Sequence, residues 1–293
     1  MKVIISRKGF DSKYGGCASP IFQDGSMVSL PIPSSHAPAR YSQLSVQGRN
    51  IGTIVETLTR GRLTRDAPTH LDPDLDPTAL LRHQGWRPAF GQTEGQLTHL
   101  MNCGVEPGDL FLFFGWFREV EERPDGKLVK ARSGHNRQVI FGWLQIESII
   151  DVGSDPAEAV IRHSWLADHP HLSGVWGSKN SVFVATERLK VPGRPELNAL
   201  PGGGTFANFS TARCLTQEGQ SRRSLWSLPA SFAPQHGEVT LSFHSNPAKW
   251  TRGADPDRVL LDSAKIGQEF VLASRNSDLL ADWVASVFAD VRH

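Results

Sequence analysis

Cysteine is scarce in this chain of 293 residues: Cys17, Cys103 and Cys214 stand far apart, which excludes a Cys-x-x-Cys zinc or redox pair and a disulfide framework. Tyrosine is scarcer, with two residues against eight tryptophans, so the large aromatic planes available for packing or stacking are mostly without hydroxyls. No apolar run approaches the ~18 residues needed to span a bilayer. Met1 to Phe10 carries charges where a secretion signal would have an unbroken apolar stretch. Together these set the expectation of a cytoplasmic protein with no membrane partner. Neither sign of charge dominates: 31 Lys and Arg against 30 Asp and Glu leave +1, so a polyanion could be held only by a local patch. Several motifs are also missing. Gly202-Gly203-Gly204 is not followed by Gly-Lys-Ser/Thr, and the chain has no GxGxxG frame, no GxSxG elbow, no HExxH and no kinase set.

What is present is an ordinary globular composition, 39% hydrophobic and 21% charged, punctuated without a period by 27 Gly and 19 Pro. That pattern favours short strands and many turns over a helical bundle or a repeat array. Val3-Ile4-Ile5 predicts a buried strand, and Asp24-Gly25 a hairpin between Ile21-Phe22 and Val28-Ser29-Leu30; residues 34 to 50 read as an ordered loop or lid. Helix starts are expected at Asp76-Pro77, at Thr93 with Gln96 as a capping box, and at Asp155-Pro156. Asp109 to Phe117 and Gln138 to Ile146 predict a central antiparallel pair, each with a Gly-Trp step that marks a bulge or a close approach. Short strands at 182–185, 225–226, 239–243 and 270–272 and a terminal helix over 275–290 complete the chain. The expectation is a single α+β domain over residues 1–293. Its sheet would be mixed and largely antiparallel, or a barrel, with a few flanking helices.

Three stretches concentrate reactive groups. Ser6, Arg7, Lys8 and Asp11 follow a buried strand. The cations there suit a phosphate, and Asp11 suits a ribose hydroxyl or a base role, the alternative being an Arg7–Asp11 surface pair. His70, Asp72 and Asp74 alternate along an extended segment and would project together, fit for a divalent cation or for proton transfer. The competing structural roles are an Asx turn at Asp72-Pro73 and a helix cap at Asp76. Trp86, Arg87 and Gln92 precede the helix that carries His99 on its polar side, where His99 could be an acid-base group or simply solvated. His169 and His171 lack a neighbouring Cys or Glu, so no metal centre is assigned from the sequence, and no cofactor is named.

The chain as a whole resembles the nucleotide modification associated domain 3 (Nmad3) family, which is linked to bacterial and phage DNA and other nucleic-acid modification systems. The resemblance runs through SRKGFDS (6–12), SLPIP (29–33), LTRGRLT (58–64), HLDPDLD (70–76), GWRPAFGQ (85–92), GDLFLFFGWFR (108–118), VIFGWLQI (139–146), WLADHPH (165–171), RSLWSLP (223–229) and GQEFVL (267–272). It implies a protein of nucleotide or base modification, with a nucleotide or a modified base in DNA or RNA as its partner. A local similarity of the two Gly-Trp strands to PUA-like domains implies a second possibility, a non-catalytic reader. Its aromatic cage would hold Trp116 and Trp143, with Gln145 on a base edge and a basic strip of Arg118, Lys127, Lys130, Arg132 and Arg137 beside it. The same two strands read equally as core.

Overall fold

A computed structural model describes residues 1–35, 37–264 and 269–291, so Gly267 and Gln268 of the GQEFVL stretch and His36 of the 34–50 loop lie outside the described residues. Ten strands form one mixed sheet: β1 (Val3–Arg7), β2 (Ser19–Ile21), β3 (Ala89–Thr93), β4 (Leu110–Glu122), β5 (Leu128–Lys130), β6 (Arg137–Asp151), β7 (Asn180–Ala185), β8 (Gly203–Thr205), β9 (Val239–Leu241) and β10 (Glu269–Ser274). Their order is β9-β10-β1-β4-β6-β7-β3, with β2 and β5 on β4 and β8 on β6. β1 and β2 run parallel to β4, and the remaining pairs are antiparallel. The architecture is α+β with an open sheet; it does not close into a barrel. Helices α1 (Ile51–Leu58), α2 (Glu94–Asn102), α3 (Pro156–Arg162) and α4 (Ser277–Phe288) flank it. No helix among the described residues is long and apolar enough to cross a membrane.

Alternation along β1 sends Ser6 and Lys8 to one face and Arg7 to the other, and each face is sealed by aromatic rings. On the first, Phe111 and Phe113 of β4 meet Phe90 of β3 with centroids 5.0 and 5.1 Å apart, and Phe183 of β7 joins them. Edge strand β3 therefore lies over β4, and the sheet curls without closing. On the second face Phe114 packs edge-on to Trp226 at 5.2 Å, which attaches a three-stranded sheet of Leu225–Pro229, Arg258–Asp262 and Trp250–Arg252. Helix α4 covers Trp143 and Phe206 with Phe288.

The expected central pair forms as β4 and β6, and both strand glycines have a steric reason. A Cβ at Gly115 would stand 2.9 Å from the Lys8 carbonyl oxygen, so β1 and β4 can approach only over a glycine. At Gly142, beside a register shift after Ile140, a Cβ would meet Leu75 Cδ1 at 2.6 Å and the Gly204 carbonyl at 2.9 Å. Two local expectations need correction. Asp76-Pro77 opens a turn and not a helix, because the Asp76 carboxylate accepts both the N–H and the hydroxyl of Thr78, at 2.8 and 2.7 Å, and closes an Asx turn. The Thr93–Gln96 box does not form; α2 starts there, but the Thr93 side chain caps nothing, and Gln92 lies in β3. Helix α1 was not anticipated, although Ile51, Ile54, Val55 and Leu58 follow the helical period; Asn50 caps it, its side chain accepting from the Thr53 N–H.

Gly142→Ala is expected to lower stability by about 1–3 kcal/mol, the usual cost of forcing atoms into a packed strand crossing. A reduced urea midpoint with unchanged slope would show it; an unchanged midpoint would refute the close-approach account.

Candidate functional site

The site is built on a short crossing of chain. Thr69–His70 pairs with Ile32–Pro33, the chain turns through Asp72, and Asp74 exchanges both backbone hydrogen bonds with Ala89 at 2.9 Å. That bridge lays residues 70–74 along β3 and delivers Asp72 Oδ1 to the Gly91 N–H at 2.7 Å. Asp72 thus acts as a cross-strand acceptor, in place of the Asx turn with Pro73. From the other side comes the turn Pro170–Leu172, which places His169 and His171 against the same carboxylate. His169 Nε2 lies 3.5 Å from Asp72 Oδ1, while His171 Nε2 and His70 Nε2 lie 3.8 and 3.9 Å from Oδ2. The Asp72, His169 and His171 side chains are almost wholly buried, and His70, 15% exposed, forms the open edge.

Asn180, the first residue of β7, sets the tautomer of His171. Its amide donates to the His171 carbonyl at 2.9 Å, so its oxygen faces His171 Nδ1 at 2.8 Å and that nitrogen carries the proton. His169 Nδ1 accepts the His171 backbone N–H at 3.3 Å, which leaves its proton on Nε2, toward Asp72. Burial, only partly opposed by Asp72, pushes His171 down to about 3 and lowers His70 as well, so both rings are neutral near pH 7. Burial alone would raise Asp72; the His169 contact and the fields of His171, His169 and His70 outweigh it and keep the group a carboxylate.

A second polar group adjoins the first. Lys8 lies 3.1 Å from Glu269 Oε1, and Gln92 donates to the same oxygen at 2.6 Å. Lys8 also sits 4.4 Å above the Phe90 ring, and its charge reaches His70. Glu269 Oε2 and Ser6 Oγ, on paired positions of β10 and β1, are buried with no hydrogen-bond partner among the described residues, and so is His169 Nε2. Buried polar atoms without partners are uncommon and mark places where a ligand or solvent belongs. Trp176 borders the cluster, stacked on His171 at 4.6 Å and 6.2 Å from His70, on an exposed loop whose Val175 is fully exposed.

Of the residues singled out in the sequence, Ser6, Lys8, His70, Asp72 and Gln92 come together here. His99 is peripheral, tied to Ser242 Oγ at 3.1 Å and sensing Glu269. Arg7 and Asp11 lie on the opposite face, where Arg7 stacks near Phe114 and Phe270 and both feel Arg223. Asp11 closes its loop by accepting the N–H groups of Lys13 and Tyr14. Trp86 donates to Asp74, itself gripped by both Arg82 nitrogens, and Arg87 pairs with Glu147 at 2.5 Å; none of these reaches Asp72. Trp116 donates to Asn136 and carries Arg223 over its ring at 4.0 Å, while Trp143 is core, donating to the Pro201 carbonyl. Gln145 spends its amide on the Gly108 and Lys190 backbones. His169 and His171, set aside in the sequence for want of a neighbouring Cys or Glu, join the site, and so do Asn180, Trp176 and Glu269, which no catalytic motif marks. For Glu269 a signal existed, a lone acid opening the apolar run Phe270-Val271-Leu272. For the histidines the only signal was their spacing, which is silent about Asp72 nearly a hundred residues earlier.

Gly91 is a steric requirement as well as a donor, since a Cβ there would stand 2.2 Å from the His171 ring. Gly91→Ala should displace His171 from Asn180 and cost about 1–3 kcal/mol in urea unfolding. Gly95→Ala in α2, where a Cβ meets nothing, should be neutral or slightly stabilising. Equal stability of the two variants would refute this packing account.

No curated protein and no solved structure matches this chain. The family described as nucleotide modification associated domain 3 matches residues 2–273, which takes in every side chain of the Asp72 and Glu269 groups. With 293 residues in the chain, that match spans almost all of it, and the chain belongs to the Nmad3 family.

Proposed function

We propose that this protein is an enzyme that modifies a nucleotide or a nucleic-acid base, with the reacting group seated between the Asp72 cluster and the Lys8–Glu269–Gln92 group. The family description supplies the nucleotide association. The observation that carries the catalytic reading is the convergence of ionisable groups from distant stretches, Lys8, His70 with Asp72, His169 with His171, and Glu269, with the Gln92 amide among them, on one interior place. A buried carboxylate, Asp72, beside imidazoles whose pKa burial lowers, His70 and His171, together with unpartnered polar atoms, is what proton transfer and polar bond chemistry need. In this reading Trp176 offers a flat surface to a base at the open edge beside His70. Ser6 Oγ and Glu269 Oε2 meet polar atoms of the guest.

The reader alternative has less support, because Trp143 is packed between Phe206 and Phe288 and cannot face Trp116 across a base. A polynucleotide guest has a separate point in its favour. Arg60, Arg118, Arg123, Lys127 and Lys130 line a groove of ≈590 Å³ beside the end of α1 and β5. Such a run of cations suits a phosphate backbone.

Titration calorimetry with nucleoside monophosphates, modified nucleosides and short single-stranded oligonucleotides tests this. At least one should bind, and Trp176→Ala should weaken it by roughly 1–3 kcal/mol, about 5- to 150-fold. Asp72→Asn should leave binding largely intact while nucleoside mass spectrometry shows turnover abolished. A folded protein that binds none of these compounds sinks the proposal, and so does binding indifferent to both Trp176→Ala and Lys8→Ala.

A further inference from the structure

We propose that His70, Asp72 and His171 form a binding site for one divalent transition ion of the Zn²⁺ and Fe²⁺ kind, held by His70 Nε2, Asp72 Oδ2 and His171 Nε2. The inference stands apart from the nucleotide reading, because it concerns an ion that the chain would hold with no nucleotide present.

The first argument is charge. The described structure has four buried acids, Asp72, Asp74, Asp109 and Glu269. Asp74 is gripped by Arg82, Asp109 has Lys2 at 3.6 Å, and Glu269 has Lys8 at 3.1 Å. Asp72 alone has no Lys or Arg beside it among the described residues; imidazoles surround it instead. A buried anion without a cation is costly, so the fold supplies a place for a positive charge that the chain itself does not provide.

The second argument is the direction of lone pairs. Because Asn180 fixes the proton of His171 on Nδ1, Nε2 presents its lone pair, and it faces Asp72 Oδ2 at 3.8 Å. Two acceptors that face one another out of water repel unless a cation lies between them. Oδ1 already accepts from Gly91 and has His169 Nε2 beside it, whereas no described group donates to Oδ2. The two oxygens are thus differentiated, one tethered to the protein and one left over.

The third argument is spacing. The donor atoms of His70, Asp72 and His171 all lie within 4.8 Å of one another. Ligands about 2.1 Å from a tetrahedral ion stand roughly 3.4 Å apart, so the two carboxylate–imidazole distances of 3.8 and 3.9 Å need a few tenths of an ångström of closure, and the imidazole pair, within 4.8 Å, closes by a turn of the His70 ring at the open edge. Asn180 behind His171 and Gly91 behind Asp72 are the kind of outer contacts that orient metal ligands. Two imidazoles and one carboxylate favour a borderline transition ion over Mg²⁺ or Ca²⁺, which take oxygen ligands. Three protein ligands leave a coordination position open, and His70 lies on the accessible edge.

The test uses tag-free, full-length protein stripped with a chelator and then titrated with Zn²⁺ against a chromophoric competitor, with Co²⁺ by visible absorption, and with Fe²⁺ under anaerobic conditions. One equivalent of at least one ion should bind. His70→Ala and His171→Ala should each weaken it by about 100-fold or more, and Asn180→Ala by about 10- to 100-fold. His83→Ala, a half-exposed histidine paired with Asp168, should change nothing. If His171→Ala does not fold, the wild-type Co²⁺ spectrum and an X-ray absorption count of two imidazoles decide. Folded wild type that takes up no equivalent of any of the three ions overturns the proposal. So does affinity unchanged in His70→Ala, or a preference for Mg²⁺ or Ca²⁺.

Discussion

The Asp72 carboxylate is the constraint around which the site is arranged. Burying an ionised carboxylate costs several kcal/mol unless hydrogen bonds and neighbouring charges compensate, and each compensating contact here fixes a different part of the chain. The Gly91 N–H ties the 70–74 segment to β3. His169 and His171 tie it to the turn after α3, and Asn180 ties that turn to β7. β3 pairs with β7 from Asn180↔Thr93 to Val184↔Ala89, so the carboxylate closes a loop of contacts through elements that already adjoin. The geometry tolerates little change, because the His171 ring lies where any side chain at position 91 would be.

The large pattern of the fold was legible because it rests on local rules. The apolar runs of β4 and β6 are too long to be anything but central strands, their glycines mark close approaches, and Asp155-Pro156 starts a helix whose Asp155 side chain accepts from Ala157 and Glu158. Where local rules compete, the reading failed. An Asp before Pro opens a helix or closes a turn with nearly the same sequence, and at Asp76 the Thr78 hydroxyl decides for the turn. Helix α1 escaped notice because its buried face, Ile51, Ile54 and Val55, is short and flanked by loop-like residues.

The candidate site was half legible for a related reason. Alternation puts His70 and Asp72 together but not Asp74, which turns away to Arg82 and Trp86, and of the three reactive stretches only Ser6, Lys8, His70, Asp72 and Gln92 adjoin, while Asp11 and His99 do not. What no local rule could supply is the partner from residues 169–171, whose approach is set by strand order and not by spacing. Proximity in sequence also misled. Arg7 is adjacent to Lys8, and Trp86 and Arg87 precede Gln92 closely, yet strand alternation and the turn at Asp74 send them elsewhere.

The separation of Arg7 from Lys8 bears on how the two faces divide their work. On the Lys8 face the polar atoms converge inward, and Ser6 Oγ, Glu269 Oε2 and His169 Nε2 lack hydrogen-bond partners among the described residues. On the Arg7 face Arg7 stacks near Phe114 and Phe270, Arg223 lies over Trp116 and reaches the Ser12 hydroxyl, and Trp116 is committed to Asn136. One sheet separates the two, and its thickness at this point is a single β1 strand whose neighbours are locked by Phe113 on one side and Phe114 on the other. Direct contact with the cluster is confined to the side that Lys8 shares with Gln92, His70 and Glu269.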